Sequence, residues 1–303
     1  MAASPTASGS RTAAELATQP VSWRRAVDAV PGTAGLPEPG ERVAVTGCGT
    51  SWFMAQGYAA LREAAGQGET DAFPASEFPA GRRYDRVVAI TRSGTTTEVL
   101  DLLGTLRGRT PLLALTADPR TPVREAADAV AVLDWADEQS VVQTRFATTA
   151  LALLRAALPD GSTAVLRAAD EAEAALAEPL PAALLEAGQW TFLGRGWAYG
   201  TAQEAALKMR EAAGAWTEAY PAMEYRHGPV AIAAPGRVTW AFGPVPDGLE
   251  AAVVRAGGMF VHAGRDPLAE LVRAQRVAVA VAEGRGCDPD RPRGLTRSVV
   301  LGA

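Results

Sequence analysis

The feature that most constrains this chain is a strand-to-helix turn through glycine that occurs twice, at matching places. Val45-Thr46-Gly47-Cys48-Gly49 in the first half and Phe192-Leu193-Gly194-Arg195-Gly196 in the second each close an apolar, strand-like run. Each leads into an Ala/Gln helix, with Ala55-Gln56 in one and Ala202-Gln203 in the other. An echo of this kind implies two copies of one α/β unit. The copies differ where it matters chemically: Thr50-Ser51 stand in the first where Trp197-Ala198 stand in the second. One half keeps hydroxyl donors at its turn and the other does not, which implies a division of labour.

A second hydroxyl-rich turn, Thr91-Arg92-Ser93-Gly94-Thr95-Thr96-Thr97-Glu98, follows the apolar run Val87–Ile90. A strand that turns into a helix start points backbone N–H groups and the positive end of the helix dipole at one spot, which suits a phosphate. Thr50, Ser51, Ser93, Thr95 and Thr96 add neutral donors. Two such turns predict a phosphorylated small molecule held from both sides. A lone Gly-x-Gly is also compatible with a plain tight turn. Trp52-Phe53 stand where a dinucleotide fingerprint needs its third glycine, and no Gly-Lys-Ser/Thr follows, so neither a nicotinamide cofactor nor ATP is indicated.

With 303 residues, 48% hydrophobic and 21% charged, the chain has material for about two domains. Its net charge of −5 and lack of a basic stripe argue against a nucleic-acid partner. Cys48 and Cys287 are too few for a disulfide framework and lie at no metal-ligand spacing, which points to the cytoplasm and to no metal. No apolar run approaches the roughly 18 residues of a membrane span. Residues 1–20 read as a disordered leader without a signal-peptide core. Residues 21–178 read as a first, phosphate-binding domain and 179–303 as a second, with Pro179 and Pro181 at the joint.

Strands are expected at Arg42–Thr46, Val87–Thr91, Pro111–Leu115 and Ala129–Leu133, with helices at Ser51–Ala65, Thr96–Leu106 and Pro122–Ala127 between them. A long helical stretch, Thr144–Ala177, is broken at Pro159-Asp160-Gly161. The second half restarts with strands at Trp190–Leu193, Val238–Phe242, Met259–His262 and Val277–Val281, and helices at Thr201–Ala213, Leu249–Ala256 and Pro267–Arg273. This alternation predicts an α/β protein whose parallel sheets are covered on both faces.

On the helix Thr201–Ala213, Glu204, Lys208 and Glu211 fall at i, i+4 and i+7 and share one face. A solvated face laced with ion pairs explains that spacing, and so does an acid/base cluster in which Glu211 takes a proton from a carbon beside a carbonyl. His227 lies in the loop Glu224-Tyr225-Arg226-His227-Gly228-Pro229, either structural or a proton-transfer group. His262 reads as structural. Cys48, inside the first turn, reads better as a small turn residue than as a thiolate. The tail Cys287–Ser298 cannot be helical, yet Leu295, Val299, Val300 and Leu301 are apolar enough to fold back over something.

Collinear segments resemble the sugar isomerase (SIS) family, in particular the isomerase half of glucosamine-6-phosphate synthase and its stand-alone relatives. They are Gly47–Ser51, Ser93–Glu98, Glu138–Thr149, Glu204–Glu211, Glu218–Tyr220, Glu224–Pro229 and Asp290–Leu295. The resemblance implies two tandem flavodoxin-like SIS units, each a parallel sheet flanked by helices. It implies a sugar phosphate held at Cys48, Gly49, Thr50, Ser51, Thr91, Arg92, Ser93 and Thr96, with Gln143 where the synthase has a serine. Thr91 replaces a serine and Arg92 a glutamine. It further implies proton transfer between C1 and C2 by Glu211, Lys208 and Glu204 lining the site, and ring opening by His227 from the neighbouring subunit of a homodimer. No metal or organic cofactor is called for.

Two departures from the family pattern bear on the reaction. The chain opens on Met1-Ala2-Ala3 rather than a cysteine nucleophile, so glutamine is not expected to supply nitrogen. Arg297 stands where the synthase has a Schiff-base lysine, and a guanidinium that stays protonated cannot act as that amine. Isomerisation of a hexose 6-phosphate and hydrolytic deamination of a hexosamine 6-phosphate both remain, since each needs only ring opening and enolisation. The competing expectation is a phosphosugar sensor that binds without chemistry.

Overall fold

The computed structural model describes residues 10–301. Two short helices, α1 (Arg11–Ala17) and α2 (Gln19–Ala29), precede the first α/β unit. That unit runs β1 (Val43–Gly47), α3 (Thr50–Ala64), β2 (Thr70–Pro74), β3 (Arg86–Ile90), α4 (Thr97–Leu106), β4 (Leu112–Thr116), α5 (Val123–Ala126) and β5 (Ala129–Val132). Three helices follow: α6 (Arg145–Ala156), α7 (Gly161–Ala177) and α8 (Ala182–Leu185). The second unit is β6 (Gln189–Gly194), α9 (Ala198–Ala213), β7 (Thr217–Pro221), β8 (Arg237–Phe242), α10 (Leu249–Arg255) and β9 (Met259–Val261), closed by α11 (Pro267–Gly284).

The first sheet has the order β2-β1-β3-β4-β5 and the second β7-β6-β8-β9, every pairing parallel. The first is the flavodoxin order, and the second repeats its opening four strands. Alternation along the strands explains the layering. Val43, Val45, Val88, Ile90, Leu113 and Leu115 face one core, while Ala44, Val87, Ala89, Leu112 and Ala114 face α4 through Val99, Leu103 and Leu106. In the second sheet Trp190, Phe192, Trp240 and Phe242 belong to the same core as the first group. One continuous apolar interior therefore serves both sheets.

The helices between the sheets set the geometry of everything above them. α9 crosses α3 at Gly200, where an added Cβ would lie 2.4 Å from the Phe53 carbonyl oxygen and 2.9 Å from the Gly57 nitrogen. No side chain fits there, so the two helices approach backbone to backbone.

Three expectations need correction. The leader expected to be disordered is helical from Arg11, because Ser10 caps α1 at the Ala13 N–H and the Asp290 carboxylate accepts from Thr12 N, Thr12 Oγ1 and Arg11 N at 2.8, 2.7 and 2.9 Å. Leu16 is buried beneath it, and residues 1–9 lie outside the described ones. Val277–Val281, expected as a strand, is part of the 18-residue α11. That helix is buried on nearly every side between α7, α9 and α1, and all-round burial erases the polar stripe that marks a helix in sequence. Finally β2 and β7 were not expected. Each is a half-buried edge strand ending in proline, where apolar alternation is weakest.

Gly200→Ala gains about 1 kcal/mol of helix propensity but must separate two backbones, a cost of about 1–3 kcal/mol that wins when neither can retreat. The expected result is a lower midpoint in denaturant unfolding. A midpoint equal to or above that of the parent would refute the close crossing.

Candidate active site

A cavity of about 220 Å³ opens at the carboxyl ends of β1 and β3, the point where the strand order of the first sheet reverses. In open parallel sheets this is where ligands bind. The turn after β1 supplies Cys48, Gly49, Thr50 and Ser51, and the turn after β3 supplies Thr91, Arg92, Ser93 and Thr96. Gly49 adopts φ 55°, ψ −122°, a conformation closed to other residues, and this starts α3 directly at Thr50. Val141 and Gln143, ahead of α6, form a further wall, Glu211 of α9 another, and the tail Leu295–Val299 the last.

Polar groups of the cavity are only partly satisfied within the chain. Thr91 Oγ1 and Arg92 Nε are buried without a hydrogen-bond partner among the described residues, and both residues line the cavity. Orphans of this kind are rare in folded proteins and mark a place for water or ligand. The other guanidinium nitrogens of Arg92 are engaged: they donate to the Ser140 carbonyl at 3.0 Å and the Arg297 carbonyl at 2.9 Å. Burial pulls the Arg92 pKa down, opposed by Glu138, whose carboxylate lies 3.9 Å away. The guanidinium thus braces the turn as well as charging it. Burial pushes the Cys48 thiol up to about 11, with Glu98 adding to the effect. Cys48 is a protonated wall of the cavity and has no thiolate chemistry.

Behind the cavity the two units meet in one buried cluster. Lys208 Nζ donates to Thr50 Oγ1 at 3.0 Å, is hydrogen-bonded to Glu211, and lies 3.5 Å from Glu204 Oε1. Lys208 and Glu204 are essentially inaccessible, whereas Glu211 reaches the cavity. Burial raises the Glu204 carboxyl to about 8; Lys208 pulls against this and Glu211 adds to it. Burial would lower the Lys208 pKa, but Glu204 and Glu211 outweigh it and hold the ammonium charged. Lys208 is also the only lysine in a chain whose other strong bases are all arginine. That bias was a legible signal: a compact, three-donor ammonium stands at the one place where a planar guanidinium would have to fit among Thr50, Glu204 and Glu211.

Eleven of the fourteen residues singled out from sequence line the cavity, Glu211 among them. Lys208 and Glu204 stand directly behind it. His227 does not join them: it sits on an exposed 3-10 turn after β7 (Glu224–His227). Sequence reasoning missed Ser298. Its Oγ accepts from Ser93 Oγ at 3.1 Å and Thr95 Oγ1 at 3.0 Å, and lies 3.5 Å from Thr96 Oγ1. The Val299 carbonyl accepts from the Thr97 N–H at the start of α4, and Arg297 binds Asp137 and the Glu138 carbonyl. The apolar tail flagged as folding back does so onto the hydroxyl turn. Among the described residues no three His, Cys, Asp or Glu side chains are grouped to hold a metal, and no helix is long and apolar enough to cross a membrane.

Fold and cavity together define a double flavodoxin-like α/β protein with an anion-suited turn in one unit facing a carboxylate from the other. No family model matches the chain. A glutamine–fructose-6-phosphate aminotransferase (isomerizing) of Methanothermobacter thermautotrophicus is 30% identical over 305 residues, covering 86% of this chain and 52% of that protein. The chain spans about half the length of the curated relatives it matches. Among solved structures, a glucosamine-6-phosphate deaminase from Thermotoga maritima superposes with a TM-score of 0.82 at 24% identity, covering 96% of this chain and all of the other. The C-terminal domain of glucosamine-fructose-6-phosphate aminotransferase from Francisella tularensis gives 0.79 at 21%, with 96% and 100% coverage. The homologues of this chain are the isomerase (SIS) domain of glutamine–fructose-6-phosphate aminotransferases, and its structural neighbours are a glucosamine-6-phosphate deaminase and phosphosugar isomerases.

The raised Glu204 pKa has a measurable sign. Above its ordinary 4.5 the unfolded chain releases a proton that the folded protein keeps until about 8, so this group makes stability fall as pH rises through that window. Glu204→Gln keeps the shape without the proton. The unfolding free energy of the variant relative to the parent should therefore improve from pH 5 to pH 8, by at most about 1.4 kcal/mol per pH unit. A constant difference across that range would rule out an elevated Glu204.

Proposed function

We propose that this protein is a phosphosugar isomerase or amino-sugar-phosphate deaminase, acting on a hexose or hexosamine 6-phosphate by ring opening and proton transfer between C1 and C2. One observation carries the reading: among the described residues Glu211 is the sole carboxylate lining a cavity whose opposite wall is the hydroxyl turn. A phosphate at Thr50, Ser51, Ser93 and Thr96, completed by Thr91 Oγ1 and Arg92 Nε, leaves the far end of an open-chain sugar at Glu211. Gln143 and Cys48 complete the walls around the chain of carbons.

In this scheme Glu211 takes the proton from one carbon and returns it to its neighbour, while its hydrogen bond to Lys208 aims the carboxylate. Glu204 sits behind Lys208 and takes no proton from the sugar. For a hexose phosphate the product is the isomeric ketose or aldose. For a hexosamine phosphate the same shift places a C=N bond at C2, and water then releases ammonia and leaves the ketose. The tail offers no amine for Schiff-base chemistry, since Arg297 is tied to Asp137 and Glu138. Deaminase and aldose–ketose isomerase structures of closely similar fold support both outcomes.

Ring opening is assigned to His227 of a second copy. Within one chain the imidazole is exposed and does not line the cavity, so only a neighbouring subunit can bring it there. The proposal therefore includes a homodimer with shared sites.

Incubation with fructose 6-phosphate and with glucosamine 6-phosphate, following ketose, aldose and ammonia, tests the reaction. Glu211→Gln should lower kcat by about 10²–10⁴ while fructose 6-phosphate still binds. Unchanged turnover would remove Glu211 from the mechanism, and tight binding without turnover by the parent would favour a sensor.

Shared sites have their own signature. Glu211→Gln and His227→Ala proteins, each inactive alone, should regain up to about one quarter of parental activity when unfolded together and reassembled, because half of the sites in each mixed dimer are intact. No recovery from well-formed mixed dimers would place His227 outside the partner's site.

A further inference from the structure

The tail takes up the same donors that the hydroxyl turn offers to an anion. Ser298 Oγ accepts from Ser93 Oγ at 3.1 Å and Thr95 Oγ1 at 3.0 Å and lies 3.5 Å from Thr96 Oγ1, so three hydroxyls of one turn surround a single oxygen. One residue further on, the Val299 carbonyl accepts at 3.2 Å from the Thr97 N–H, at the start of α4 where the helix dipole favours negative charge. A hydroxyl has one proton to donate. Those of Ser93 and Thr95 go to Ser298, and the amide proton of Thr97 goes to Val299. The buried Thr91 Oγ1 and Arg92 Nε still lack a partner among the described residues, so a neutral serine satisfies this turn only in part.

Arg297 fixes the point from which this segment departs. Its side chain is bound to Asp137 and the Glu138 carbonyl, and its own carbonyl accepts from Arg92 at 2.9 Å. Beyond it, the Leu301 N–H donates to Thr97 Oγ1 at 2.9 Å. Val299, Val300 and Leu301 are 52, 48 and 66% exposed, so lifting them off the turn gives up little apolar contact.

We propose that Ser298–Leu301 is an internal competitor for the substrate phosphate: it occupies the hydroxyl turn of the free protein and swings out from Arg297 when a phosphate binds. This rests on the phosphosugar reading above and adds a control on its binding step. Ser298 Oγ and the Val299 carbonyl are uncharged stand-ins for phosphate oxygens. A phosphate accepts the same hydrogen bonds more strongly, because it is ionised, and it also reaches Thr91 Oγ1 and Arg92 Nε. The apparent affinity is the intrinsic one multiplied by the fraction of protein whose tail is lifted. A neutral sugar brings no group that can take the place of the tail, so the device selects for a phosphoryl group.

Inorganic phosphate and fructose 6-phosphate, titrated by calorimetry into the intact protein, Ser298→Ala and Ser298→Asp, test the competition; thermal melts report that the variants are folded. Ser298→Ala should bind both ligands about threefold or more tightly than the parent, because the tail loses its hold on the Ser93 and Thr95 hydroxyls. Ser298→Asp should bind both more weakly, since its carboxylate takes those donors as an anion. Hydrogen exchange gives an independent reading: saturating phosphate should speed exchange of the Leu301 amide in the C-terminal peptide of the parent. Weaker binding by Ser298→Ala overturns the inference and makes Ser298 a phosphate ligand instead. Unchanged affinity in Ser298→Ala, tighter binding by Ser298→Asp, or slower Leu301 exchange with phosphate bound overturns it as well. If a variant does not fold, the exchange measurement on the parent decides. Phosphate binding without these changes removes the internal competitor alone, whereas binding of neither ligand by any folded protein removes the phosphosugar reading and the competitor with it.

Discussion

The ammonium of Lys208 joins the two halves of the site: it is donated from the second unit to Thr50 of the first, and it holds Glu211 at the cavity wall. Placing a charge at 1% exposure costs several kcal/mol in lost hydration, which is offset only where partners surround it. Glu211 and Thr50 are its hydrogen-bonded partners, and Glu204, which burial keeps protonated up to about pH 8, stands 3.5 Å away. Removal of Glu211 or Thr50 leaves the buried charge short of compensation, so the cluster is tied to the relative placement of α3 and α9. That placement depends on Gly200, which lets the helix backbones approach. The buried cluster and the packing of the two units are thus one physical constraint.

The two units have the same topology but unequal surfaces. The first presents hydroxyls at the carboxyl ends of its strands, and the second contributes a helix face. A phosphate-suited turn alone is a binding module, and a carboxylate–lysine cluster alone is a buried ion network. The crossing of α3 over α9 sets them on opposite walls of one cavity. The tail from Asp290 to Leu301 then closes the remaining side. It is anchored at one end by the amides of α1 and at the other by the start of α4. Burial works against ionisation of Asp290, yet the Thr12 amide and hydroxyl and the Arg11 amide hold its pKa below the ordinary value. The helix expected to be a disordered leader is therefore part of what positions the tail.

The sequence by itself determined the α/β class, the duplication, and both glycine turns, because strand-to-helix turns of this kind depend on local backbone requirements that glycine and hydroxyl residues declare directly. The Glu204, Lys208 and Glu211 face was legible for the same reason: helical periodicity is local. Only the tertiary structure decided that this face lies over the turn of the other unit, that Ser298 reaches the hydroxyls of Ser93 and Thr95, and that Val277–Val281 is helical. It alone showed edge strands at Thr70–Pro74 and Thr217–Pro221, and His227 outside the cavity of its own chain. Each of these depends on what packs against the segment from far along the chain, and burial by distant elements leaves no periodic mark in the residues it covers.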